Sequence, residues 1–315
     1  MEEIIRLRPY FSHTIWGGSR LREEFGYPEP GEDIGECWGI SAHPNGDDTV
    51  VGGAFDGQKL SSLWDSHREL FGNLEGDRFP LLVKIIDAKA DLSIQVHPDD
   101  AYAGEHENGS LGKTECWYVL DCPEDGRLVV GHNAQTGEEL REMIAQGRWN
   151  DFLREIPVRP GDFIQIDPGT VHAIKGGITL LETQQNSDIT YRLYDYDRLQ
   201  NGKPRELHLK KSLDVITVPA KAPEDSVKRA ADIDREKKPN TLYCLHECDK
   251  YTVYLLDVSG EASFRQDKHF LCMSVYEGEG KLNGHPIRKG SHLILPCGYG
   301  EVRIEGKLRA VCSTV

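Results

Sequence analysis

The sequence predicts a mainly β protein built from two related barrels, with a few short helices at the periphery. Short apolar runs bounded by turn residues are the first sign. Leu81-Leu82-Val83-Lys84-Ile85-Ile86, Phe163-Ile164-Gln165-Ile166, Ile178-Thr179-Leu180-Leu181 and His292-Leu293-Ile294-Leu295 have the length and β-branched content of strands. The 32 glycines suit frequent tight turns. The third sign is a repeated cadence. Arg159-Pro160-Gly161-Asp162 leads into 163–166 and Asp167-Pro168, and Arg288-Lys289-Gly290-Ser291 leads into 292–295 and Pro296. A basic residue, a glycine turn, an apolar strand and a proline, met twice, imply two halves of one design.

The helices are signalled individually. Ser62 before Leu63-Trp64, Leu70-Phe71 one helical repeat later and Gly72 as a stop predict one. Thr136 with Glu139 reads as a capping box ahead of Leu140, Met143, Ile144 and Gly147. A third runs near Glu206-Leu207 to Ile216. Residues 219–240 are charged, free of aromatics and bracketed by Pro219 and Pro239, which reads as an interdomain connection. The expected division is a metal-binding domain over 1–220 and a C-terminal β-domain over 221–315. In the latter, Asn283-Gly284 marks a hairpin turn. Cys297-Gly298-Tyr299 stands where the first copy has Gly169-Thr170-Val171-His172, so the second barrel is expected to hold no metal.

Composition narrows the function classes. A formal charge of −15 with no compact Lys/Arg cluster argues against a nucleic-acid partner but leaves room for a small anion held by a few local cations. No run approaches the length of a membrane span, and the acidic opening Met1-Glu2-Glu3 lacks a signal-like apolar stretch, so no membrane partner and a cytoplasmic location are expected. The eight cysteines are scattered without a CxxC pair and read as reduced thiols. Cys244-Leu245-His246-Glu247-Cys248 lacks the second ligand pair of a structural zinc site. Gly278-Glu279-Gly280 has no following helix to receive a phosphate, and His13, His106 and His132 have no ligand-like spacing. Trp16, Trp38 and Trp117 read as core residues.

Three segments carry chemistry. In Leu92-Ser93-Ile94-Gln95-Val96-His97-Pro98, strand alternation puts Ser93, Gln95 and His97 on one face and Ile94 and Val96 on the other, as a lined cavity requires. In Gly112-Lys113-Thr114-Glu115-Cys116-Trp117, Lys113, Glu115 and Trp117 share a face. This is either a surface ion pair or a carboxylate ligand with a cation beside it. In Asp167-Pro168-Gly169-Thr170-Val171-His172, a turn delivers a histidine to the start of a strand. Two histidines and one carboxylate suit zinc, and they equally suit the iron(II) triad of oxygenases.

The strings Ser93–Pro98, Gly112–Glu115 and Pro168–Ile174 resemble those of type I mannose-6-phosphate isomerases, in the short bacterial form of that cupin-superfamily family. The likeness extends to Thr14-Ile15-Trp16-Gly17-Gly18, Gly35-Glu36-Cys37-Trp38 and 184–193, and so covers roughly residues 10 to 200. It implies two cupin-type jelly-roll barrels and an enzyme interconverting mannose 6-phosphate and fructose 6-phosphate, a sugar-phosphate substrate, with one Zn2+ per chain. By the same resemblance His97, Glu115 and His172 are the metal ligands and Gln95 is a fourth ligand or a neighbour of the metal. Arg192 and Lys113 are the active-site cations. Arg198 falls near the family's second basic residue, although the local pattern differs there.

Aldose–ketose isomerisation needs a base near C1 and C2, a stabiliser for the developing oxyanion and a grip on the phosphate. Arg192 or Arg198 suits the grip, and Ser93 can add a hydrogen bond. As the base, Lys113 requires a pKa lowered by burial near the metal and arginine; Asp188 and a metal-bound water are its rivals. An iron(II)-dependent cupin oxygenase and a non-catalytic sugar-binding cupin remain the alternative functions.

Overall fold

In the computed structural model, which describes residues 3–315, two sheets enclose the first barrel. One runs through Val227–Lys228, Phe163–Ile166, Glu115–Asp121, Ile178–Gln185, Leu81–Ala88, Tyr10–Gly18 and Ile34–Ile40. The other runs through Leu153–Pro157, Arg127–His132, His172–Ile174, Ile94–Val96 and Tyr191–Tyr194. Their ladders are antiparallel. Alternation sorts the side chains by face. Trp117, Val119, Leu180 and Ile86 of the first sheet meet Leu128, Val130 and Ile174 of the second inside the barrel. On the outer side of the second sheet, Ile94, Val96, Ala173, Tyr191 and Leu193 pack with Leu140, Met143 and Ile144 of helix Gly137–Ala145.

That helix starts at the predicted cap. The Thr136 hydroxyl accepts from the Glu139 N–H at 3.1 Å, while the Glu139 carboxylate reaches the N–H of Gln135, at 2.7 Å, instead of that of Thr136. Helix Leu60–Ser66 begins two residues earlier than Ser62 suggested, because the buried Leu60 draws its first turn into the core. Gly72, with φ at 67°, ends the short 3-10 turn that follows. The third predicted helix is Leu209–Val215. Helix Asp100–His106 had no apolar stripe to announce it, since it buries Ala103 alone; its signal is Asp99, whose carboxylate caps the Tyr102 N–H.

The second barrel is an eight-stranded sheet led by the long strands Thr252–Gln266, Phe270–Leu282 and Gly300–Thr314. Asn283 and Gly284 both take positive φ, 47° and 82°, as a two-residue hairpin turn of the predicted kind demands. The same sheet recruits Ile5–Arg8 and Thr49–Val50 from the start of the chain. An aromatic-rich core of Trp64, Phe71, Phe79, Tyr251 and Phe270 then joins the two barrels. Residues 219–240 do more than connect. Val227–Lys228 extends the first sheet beside Phe163 and Ile164, and helix Ala230–Glu236 is pinned where Ala230 N–H and Arg229 donate to the Asp162 carboxylate.

Candidate active site and metal centre

His97, Glu115 and His172 meet inside the first barrel, each at most 1% exposed, with their ligand atoms within 4.8 Å of one another. The two imidazole Nε2 atoms lie 3.1 Å apart, and they approach the Glu115 carboxylate at 3.4 Å and 3.3 Å. His172 donates from Nδ1 to the Thr170 carbonyl at 2.8 Å, which leaves the Nε2 lone pair aimed at the centre. Lys113 Nζ sits 3.0 Å from Glu115 Oε2 without hydrogen-bond alignment, and neither carboxylate oxygen has a hydrogen bond. A fully buried carboxylate left unsatisfied would cost several kcal/mol. Two neutral imidazoles and one carboxylate converging on a point are a donor set that a divalent cation satisfies.

The register explains how the site is assembled. His172 stands opposite Gln95, and Gln95 opposite Arg192, so the three form one row across adjacent strands. On the facing sheet Trp117 pairs with Glu182, Glu182 with Lys84 and Lys84 with Trp38, giving a second row. Between the rows lies a cavity of about 200 Å³ whose walls include Thr14, Trp16, Glu36, Trp38, Lys84, Ser93, Gln95, Lys113, Glu182, Asp188, Arg192 and Arg205. Several of its polar atoms are buried without partners: Thr14 Oγ1, Glu182 Oε1 and Arg192 Nε. Such orphans mark a place for a polar ligand.

The structure thus brings together His97, Glu115, His172, Gln95, Lys113, Ser93 and Arg192. It does not bring in Arg198. That guanidinium binds the Asp195 carboxylate at 2.6 Å and the Asp91 carbonyl, packs over Tyr196, and is absent from the cavity wall. Arg205 lines the cavity instead. Trp16 and Trp38, read as core residues, also line it, whereas Trp117 is core and donates to Glu182 at 2.9 Å. Lys84, Glu36 and Glu182 escaped the sequence reading altogether. Lys84 reaches Glu36 at 3.6 Å and Glu182 at 3.7 Å, and Trp38 donates to Glu36 at 2.6 Å. The string 184–187 proves to be scaffolding. Gln185 accepts from the Thr114 N–H and donates to Asp100, which itself holds the Gly112 N–H, so the loop bearing Lys113 is fixed on both sides.

Electrostatics assign the charge states. Burial, with Lys113 nearby, pushes His97 down to about 3, and burial also lowers His172, so both imidazoles are neutral at pH 7. Burial opposes the charge on Lys113, but Glu115, Glu182 and Glu36 outweigh it and hold its pKa above the ordinary value. The surrounding carboxylates thus favour the cationic form of Lys113, and a divalent ion on Glu115 would work against them. Burial and the charge of Glu115 raise Glu182 to about 7.

Comparison with known proteins agrees with this geometry along the whole chain. Residues 4–119 match the family model of the phosphomannose isomerase type I catalytic domain, and residues 241–315 that of the mannose-6-phosphate isomerase cupin domain. The chain is 51% identical over 317 residues to the mannose-6-phosphate isomerase ManA of Bacillus subtilis, covering 99% of this chain and 98% of that one. It is 46% identical over 320 residues to the mannose-6-phosphate isomerase of Streptococcus mutans, with coverage of 99% and 98%. The crystal structure of a mannose 6-phosphate isomerase from Bacillus subtilis superposes with a TM-score of 0.90 at 45% identity, covering 99% of each chain. With two cupin-type barrels and these relatives over its full length, the chain belongs to the type I phosphomannose isomerase family.

Proposed function

We propose that this protein interconverts mannose 6-phosphate and fructose 6-phosphate through an enediol, in the cytoplasm, with one zinc ion held by His97, Glu115 and His172. The observation that carries the reading is the row His172–Gln95–Arg192. At about 4.8 Å per strand, it sets the backbones of a candidate metal ligand and of an arginine roughly 10 Å apart. A six-carbon chain with a terminal phosphate bridges that span, with its carbonyl end at the triad and its phosphate at Arg192.

Zinc, when bound, supplies a Lewis acid for the sugar oxygens. The chain's own groups supply the rest. Lys113, a cation beside Glu115, stabilises the oxygen that becomes negative in the enediolate. Glu182, with Oε2 held by Trp117 and Oε1 without a hydrogen bond 3.7 Å from Lys84, carries the proton between C2 and C1, since its pKa of about 7 lets it take and return a proton near neutrality. Arg192 and Ser93 hold the phosphate. The Gln95 amide nitrogen lies 3.3 Å from His172 Nε2, and turning the carboxamide over presents its oxygen to the centre, which suits a fourth ligand.

Residues 1–220 act as the catalytic domain, and 221–315 as a C-terminal domain whose interior is apolar. Four cations on the cavity wall, Lys84, Lys113, Arg192 and Arg205, favour an anionic substrate over the apolar one of an iron(II) oxygenase. The test is to measure bound metal and follow fructose 6-phosphate formation from mannose 6-phosphate with chelator and after zinc is restored. Activity should vanish and return; its absence from the zinc-reloaded protein would overturn the proposal.

A further inference from the structure

Arg205 sits where the chain returns to the cavity after the small hairpin of Leu199–Gln200 and Lys203–Pro204. It clamps the buried Asp195 carboxylate with two hydrogen bonds, Nε to Oδ2 at 2.8 Å and Nη2 to Oδ1 at 2.6 Å. Its Nη1 has no protein partner among the described residues. Arg198 holds the same carboxylate from the far side and spends its other groups on the carbonyls of Asp91 and Asp195. Arg192 is anchored through Nη1 to the Glu206 carbonyl at 2.9 Å, and its Nε is buried and unpaired. Burial and the nearby Arg205 both disfavour the charge on Arg192.

Two guanidinium groups thus share one buried carboxylate, and a third, Arg192, lies near enough to feel its charge without bonding it. The exposed Glu206 adds its charge beside Arg192, and the three guanidinium groups still outnumber Asp195 and Glu206 by one positive charge. A phosphate monoester carries about −1.5 to −2 at pH 7 and offers acceptor oxygens for free N–H groups.

We propose that Arg205, held in place by Asp195, is the second phosphate-gripping residue of this site and works opposite Arg192, while Arg198 only anchors Asp195. The inference rests on the sugar-phosphate reading above and revises the position at which the second cation acts. Arg205 is then a specificity residue: it makes the enzyme prefer a phosphorylated sugar to its unphosphorylated counterpart and leaves the metal end of the cavity untouched.

The test compares the affinities of a hexitol 6-phosphate and of the free hexitol, by calorimetry on zinc-loaded protein. Wild type should strongly prefer the phosphate ester. Arg205→Gln should reduce that preference about 10- to 100-fold, the worth of charge-assisted hydrogen bonds, with zinc content unchanged. Arg205→Lys, which keeps the charge without the fork, should recover part of it. Arg198→Gln should lower the melting temperature while keeping the wild-type preference within about threefold, less than one such bond contributes. An unchanged preference in folded, zinc-loaded Arg205→Gln would overturn the assignment, as would its loss in Arg198→Gln with retention in Arg205→Gln. No preference in the wild type would overturn the sugar-phosphate reading itself.

Discussion

Each barrel buries a histidine at the head of a strand, at positions that do not correspond in the repeated cadence, and the two histidines have opposite fates. His172 points into the first barrel, where it meets His97 and Glu115 among groups lacking hydrogen bonds. His292 begins the strand His292–Pro296, whose Leu293 and Leu295 fill the second barrel, so alternation turns the imidazole outward, into the seam between the halves. There Tyr27 OH at 2.7 Å and Ser274 Oγ at 2.9 Å satisfy both ring nitrogens. Burial alone does not distinguish them, because both are at most 2% exposed. Strand parity and unmet hydrogen bonding do: a buried histidine with both partners reads as structure, and one facing a carboxylate without hydrogen bonds as a candidate ligand.

The contrast extends to the interiors. The second barrel is filled by Val258, Leu271, Met273, Val275, Leu293, Ile304 and Leu308, a packed hydrocarbon core. The first gives up that packing along two rows and buries Lys84, Lys113, Glu115 and Glu182. Buried charges of this kind stabilise poorly, and their retention follows from chemistry.

Three substitutions sharpen the comparison, from the largest effect to the smallest. Glu182→Gln removes the proposed proton carrier and should lower kcat by about 10²- to 10³-fold with metal retained, as steady-state rates and metal analysis on one preparation would show. His292→Ala removes the partner of Tyr27 and Ser274 and should cost about 3 kcal/mol in denaturant unfolding while kcat stays at the wild-type value. A large loss of kcat at unchanged stability would mean that the seam histidine serves chemistry after all. Lys84→Met takes a cation from 3.7 Å beside Glu182. A base works deprotonated, so the rate rises with pH through its pKa of about 7. Without Lys84 the carboxylate holds its proton longer, and the acid limb of the kcat profile should move up by about one unit. An unmoved limb would assign it to another group.

Much of this was legible in the sequence. Each candidate metal ligand lies in a short local string, and period-2 alternation put Ser93 and Gln95, which line the cavity, on one face with His97. Lys84 and Glu182 were invisible for a definite reason. Lys84 reads as one charged residue among the apolar ones of Leu81–Ala88 and Glu182 as one polar residue among several in Ile178–Gln185, and only the register that sets them side by side against Trp117 and Trp38 makes a site of them. The charge on Lys113 was hidden similarly: burial argues for a lowered pKa, but the carboxylates that oppose it come from three different strands. Arg198 was singled out because it falls near the family's second basic residue, whereas the hairpin that follows carries Arg205, which no local pattern marks, back to the cavity.

Metal content and isomerase activity measured together on wild type, Glu115→Gln and His292→Ala test the central claim most directly. The account predicts one zinc per chain and mannose 6-phosphate isomerisation in wild type and in folded His292→Ala. In Glu115→Gln it predicts loss of the metal and a fall in rate of about 10³-fold or more. A Glu115→Gln protein that keeps both its metal and its rate, or a His292→Ala protein that loses its metal while still folded, would contradict it.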